Sequence, residues 1–253
     1  MGMAQAALYA GNDVLAWNFR GCSGEPNKQL RFYHSGATED LHTIVLHAIK
    51  TGLYAQITLI GFSLGGNLTL KYAGELGISL FPESGQVSEK IRQVIVFSVP
   101  VDLGASSDYL ERPANFIYKH RFLKSLKNKI RLKSALYPGS LDLQKLESVK
   151  TIRAFDEHFT APLHGFNGAN DYYAKNSSIN FIKSVKLPTW LVNARNDVFL
   201  PNACFPEAEA KASEYVNLVI PEQGGHCGFA LNNGLYWSEE CVKVRLGMID
   251  KFH

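Results

Sequence analysis

The chain has 253 residues, 46% of them hydrophobic, and 26 Lys and Arg against 23 Asp and Glu give a formal net charge of +3. That length and apolar content suffice for one large core, and the charge is too small to point to nucleic acid. The longest apolar runs, such as Val94–Val101, fall far short of the ~20 residues a membrane-spanning helix needs.

The N-terminal segment has no basic stretch leading into an apolar one, so it does not read as a secretory signal. Gly2 is followed by Ala6 where a myristoylation site needs Ser or Thr. The four cysteines, Cys22, Cys204, Cys227 and Cys241, are scattered without a C-x-x-C pair, which suits reduced thiols in a cytoplasmic protein better than a disulfide framework. No linker or repeat divides the chain, so a single domain is expected over residues 1–253.

In chain order, residues 3–10 read as the end of a helix stopped at Gly11-Asn12, and Val14–Phe19 as a buried strand before the turn "RGCSGEPN". Thr38–Lys50 is amphipathic, with Asp40 in its first turn and Gly52 after its end, which predicts a helix. Ile57–Ile60 reads as a strand, Leu64–Gly74 as a helix carrying the sequon-like Asn67 on a buried face, and Gln93–Ser98 as a strand. From about 108 to 182 the chain turns aromatic, basic and helical in pattern, as a cap inserted between strands would. Strands at Thr189–Asn193 and Val216–Ile220, a short helix at Pro206–Ser213 and a closing helix at Leu235–Phe252 complete an α/β pattern with a mainly parallel sheet.

Within it, "GFSLGGN" places Ser63 between glycines at a strand-to-helix junction. Such a turn lifts the hydroxyl above the sheet edge, and the helix N-terminus behind it offers the N–H of Leu64 and a positive dipole end to a developing oxyanion. Side chains at Gly61 and Gly65 are expected to clash where strand and helix converge, and Gly66 to allow a further close approach. A serine hydroxyl needs a base, and the base an orienting acid, each on a loop after a later strand. Asp197 follows the strand at Thr189–Asn193, and His226 follows the strand at Val216–Ile220 behind the flexible Gly224-Gly225. Asp102, after the strand that succeeds the serine, is the rival acid; Asp156 and Asp171, in the cap, read as structural or capping residues. The other histidines lack a strand-end glycine loop, no pair has metal-site spacing, and Cys227 reads as a small filler. No metal and no cofactor is expected.

In order, "NFRGCSGEPN", "YHSGATEDL", "GFSLGGN", "YPG", "FDEHFTAPLHGF", "DYY" and "GGHCGF" resemble the YheT-like branch of the α/β-hydrolases, related to mammalian abhydrolase-domain lipases. The resemblance runs from about Met3 to the C-terminus. It implies an α/β-hydrolase fold, a triad of Ser63, Asp197 and His226, and hydrolysis of short- or medium-chain acyl esters or acylglycerols, or acyl transfer to an alcohol by the same triad. It also implies N-terminal strands ahead of Met1, with an oxyanion-loop donor among them. Without that region the expectation is of an open strand edge, half an oxyanion hole beside Leu64, and a catalytically impaired or merely ligand-binding chain.

The partner expected is a small-molecule ester or lipid, with Phe62, Phe116, Phe166, Tyr172 and Phe199 as candidate contacts. The Lys- and Arg-rich run "YKHRFLKSLKNKIRLKSALYPG" has no carboxylate and, with its apolar residues, suggests a weak peripheral contact with anionic lipid.

Overall fold

The computed structural model describes residues 2–232 and 234–247. Its sheet has four strands, β1 (Ile57–Phe62), β2 (Ile91–Phe97), β3 (Thr189–Val192) and β4 (Val216–Val219), in the order β1-β2-β3-β4. Every pairing is parallel, with Phe62 opposite Phe97, Phe97 opposite Val192, and Val192 opposite Val219. All the strands therefore end at one edge of the sheet, and the loops that follow them meet there.

Helices cover both faces, as a parallel sheet requires. On one face α2 (Thr38–Lys50), α3 (Leu64–Gly77), α4 (Ser84–Lys90) and the short α11 (Glu207–Lys211) pack on Leu59, Val94, Val96 and Leu191. On the other, α1 (Gly2–Tyr9) and α12 (Trp237–Gly247) pack on Ile95, Phe97 and Val192. The alternation along β2 thus splits its side chains between two cores, and Val94–Phe97 are fully buried. The closing helix ends, as described, at Gly247; its expected continuation to Phe252 lies outside the described residues.

Between β2 and β3 the described chain forms helices and the turns that join them, with no strand: α5 (Leu103–Leu110), the long α6 (Phe116–Leu136), α7 (Leu143–Ser148), α8 (Ile152–Phe155), a π-helical turn at Asp156–Thr160, α9 (Ala161–Leu163) and α10 (Ala169–Asn176). These form the expected cap, whose core of Leu123, Ile130, Leu146, Phe155 and Phe159 also takes in Phe32 from the segment before α2. No helix among the described residues is long and apolar enough to cross a membrane.

One expected strand is not formed. Residues 12–19 join no ladder; Trp17 and Phe19 pack against the core while Leu15 is exposed. Apolar, β-branched sequence makes a segment fit for a sheet, but a strand exists only where a neighbour accepts its hydrogen bonds. Among the described residues β1 has one neighbour, β2, and its other edge is unpaired.

Candidate active site

Ser63 occupies the turn between β1 and α3 with φ 50° and ψ −120°, a left-handed conformation that strains a residue with a side chain. It is held by the bond from its N–H to the Phe97 carbonyl (2.9 Å) and by the Asn67 N–H, which donates to the Ser63 carbonyl (3.0 Å). Gly61 makes the turn possible: a Cβ there would sit 2.6 Å from the Gly65 carbonyl oxygen and 2.8 Å from Thr69 Oγ1. The expectation for Gly65 is corrected. A Cβ on Gly65 would meet nothing within 4 Å, because it is the Gly65 backbone, and not its side-chain position, that crowds Gly61. The second tight position is Gly66, whose Cβ would lie 2.8 Å from Val99 Cγ2.

Asp197 and His226 reach Ser63 from the loops after β3 and β4. Asp197 is buried, its Oδ1 accepting the Phe199 N–H (2.9 Å). His226 Nδ1 donates to Asp197 Oδ2 at 2.9 Å, leaving Nε2 2.8 Å from Ser63 Oγ. The two loops are tied together: Asn196 accepts the Gly225 N–H (2.9 Å) and donates to Gln223 (2.7 Å). Gly224 is obligatory, since a Cβ would lie 2.6 Å from the Phe229 ring and 2.7 Å from Ala194 Cβ. Burial by itself would lower the imidazole's affinity for a proton, but hydrogen bonds involving Asp197 and Cys227 outweigh it and push His226 up to about 9. Leu64 is the first residue of α3, so its N–H has no helical acceptor behind it and stands beside Ser63.

Asp102, the rival acid, caps α5 by accepting the Ala105 N–H (2.9 Å). Asp171 accepts from Asn167 N and Lys175, and Asp156 from Thr160 and Tyr173. Of the expected substrate contacts, Phe199 lies against the imidazole, ring centroids 4.2 Å apart. Phe166 and Leu64 pack on one cluster that includes Leu103 and Tyr173. Phe62 stacks on Phe97 in the core beneath the turn. Tyr172 is buried with its hydroxyl engaged by Ser35, which makes it a tie between the cap and the loop before α2. Phe116 is solvent-exposed on α6 beside His120.

Three supporting residues escaped the sequence reading. Asn193 bonds both the N–H and carbonyl of Val99 and the carbonyl of Cys204. Ser98 Oγ accepts the Cys227 N–H at 2.9 Å. Asn67 donates to the Ser35 and Asn176 carbonyls and accepts the Ser178 N–H. A buried polar residue at a strand end or on a helix has no periodicity to mark it.

A parallel sheet with helices on both faces, and a serine on the tight turn after one strand, define an α/β-hydrolase fold. Among solved structures an esterase from Pyrococcus furiosus shares this fold with a TM-score of 0.56, at 15% identity over 98% of this chain and 74% of that one. No family model matches the chain. It is 34% identical to YheT of Escherichia coli K12, which bears a provisional esterase name, across 90% of this chain and 65% of that protein. It is 33% identical to mouse phospholipase ABHD3, across 92% of this chain and 54% of that protein. The chain belongs to the YheT-like α/β-hydrolases, and it spans between about half and two thirds of the length of these relatives.

Proposed function

We propose that the protein hydrolyses carboxylic esters through an acyl-enzyme on Ser63. The observation that carries this reading is the unbroken chain of contacts from Ser63 Oγ through His226 to the buried Asp197. In the neutral imidazole Nδ1–H faces Asp197, so Nε2 accepts the serine proton as Oγ attacks the ester carbonyl. The oxyanion formed then faces the Leu64 N–H and the N-terminal end of α3. As the tetrahedral intermediate collapses, His226 returns the proton to the departing alcohol, and water repeats the sequence to release the acid.

The substrate class is an ester with an apolar acyl group, a short- or medium-chain ester or an acylglycerol. Phe199 at the imidazole and the apolar cluster around Leu64 and Phe166 support that choice, as do relatives named as a phospholipase and a monoacylglycerol lipase. The test is fluorophosphonate labelling together with hydrolysis of p-nitrophenyl acyl esters. Ser63→Ala is expected to abolish labelling and lower kcat by about 10⁴-fold or more. Labelling that persists in Ser63→Ala overturns the assignment.

A further inference from the structure

Helix α6 exposes six large hydrophobic side chains: Phe116, Ile117 (76% exposed), Tyr118, Phe122, Leu132 (56%) and Leu136. Leu123, Ile130 and Lys133 make up its buried side. Helical spacing sets Ile117, Arg121, Lys124, Asn128 and Leu132 along the opposite face. The same helix carries seven Lys and Arg (119, 121, 124, 127, 129, 131 and 133) and no carboxylate. Five of them are engaged: Lys119 with Glu111, Arg131 with Glu147, and Lys127, Lys129 and Lys133 with backbone carbonyls of Glu147, Gly21, and Asn27 and Gln29. Arg121 and Lys124 are exposed and have no partner among the described residues.

The apolar surface continues to the candidate site. The rings of Tyr118 and Phe122 lie 4.8 Å and 5.8 Å from that of Phe199, which in turn lies against His226. We propose that the outer face of α6 docks on an anionic lipid bilayer and turns the mouth of the Ser63 site toward the membrane. The charge pattern favours this occupant. Long cationic side chains set among apolar ones on a convex helix match a layer of phosphates above acyl chains. The orientation deepens the ester-hydrolase reading and rests on it, whereas the docking itself does not.

Co-sedimentation of the full chain carrying Ser63→Ala, with vesicles of phosphatidylcholine alone or mixed with phosphatidylserine, tests it. Binding is expected only with the mixed vesicles, weakening as salt rises. Arg121→Glu with Lys124→Glu is expected to cut the partition coefficient about thirty-fold or more. Ile117→Asp with Leu132→Asp should lower it too, while Lys211→Glu on α11 leaves it unchanged. The same α6 substitutions on the Ser63 background, and the milder Arg121→Gln with Lys124→Gln, should keep fluorophosphonate labelling in solution, which shows that the variants fold. Absent binding, equal binding to both vesicle types, or a concentration-dependent dimer lost through the α6 substitutions would overturn the proposal. Absent labelling of the unaltered chain would instead defeat the hydrolase reading and leave the vesicle result standing.

Discussion

Ser63 keeps a backbone conformation that costs roughly 1–3 kcal/mol, and its neighbours divide sharply in what they contribute to holding it. Gly61→Ala would drive a methyl group against the Gly65 carbonyl and is expected to destabilise the fold by about 1–3 kcal/mol. Gly65→Ala meets no atom and should gain up to ~1 kcal/mol from helix propensity. Urea unfolding midpoints separate the two, and equal destabilisation would mean that the turn is not packed as described. At the other end of the chain of contacts, burial would lower His226, and the buried Asp197 carboxylate, together with Cys227, raises it instead. The ascending limb of the pH–rate profile, which reports loss of the His226 proton, should therefore lie above the ordinary 6.5, toward 9. Asp197→Asn is expected to lower kcat by about 10⁴-fold and to move that limb to lower pH, since burial is then opposed by Cys227 alone. An unmoved limb would show that another group sets the imidazole.

At the scale of elements, α3 does more than follow the Ser63 turn. Asn67, one turn into it, ties residue 35 of the loop before α2 to residues 176 and 178 at the end of the cap through three backbone partners. Asn67→Ala leaves those partners unsatisfied in a fully buried place and should cost about 3 kcal/mol in chemical denaturation. A change under ~1 kcal/mol would mean that water replaces the amide. This tie was invisible beforehand, because the sequence marks Asn67 only as part of a sequon-like triplet. The elements around it were legible for definite reasons. β1, β2 and α2 carry unbroken apolar runs or a clean helical period with charged first turns, and the glycines of "GFSLGGN" and "GGHCGF" mark turns that few other residues allow. Val14–Phe19 has the same strand-like composition, yet its pairing depends on a neighbour that no local pattern can report. In the cap, the missing strands were readable while the internal breaks were not, since a π-helical turn at Asp156–Thr160 leaves no distinctive spacing.

Across the whole molecule, two buried groups beside the cap set opposing pH responses. Burial pushes the Asp156 carboxyl up from 3.8 to about 6, although hydrogen bonds from Thr160 and Tyr173 pull the other way. The folded protein then holds that proton more tightly than the unfolded chain, so stability falls as pH rises through this interval, by on the order of 3 kcal/mol. His34 behaves in the opposite sense. Burial, reinforced by His164, Lys71 and Arg31, lowers it from 6.5 to about 3, so its contribution is full above 6.5 and is lost as pH falls through 3. Between pH 4 and 6 the two trends offset each other. Asp156→Asn removes one of them without emptying the site: the amide still accepts from Thr160 and donates to the Tyr173 oxygen, while the phenol proton turns to Ser107, 3.0 Å away. Relative to the unaltered protein, this variant should gain stability progressively from pH 4 to 6, and His34→Gln should lose it over the same range. Thermal denaturation of both variants across that range measures the two difference curves. Parallel, flat curves would show that neither group is held in the folded chain by the burial described here, whereas divergence of opposite sign would locate the molecule's acid response in the packing of the cap.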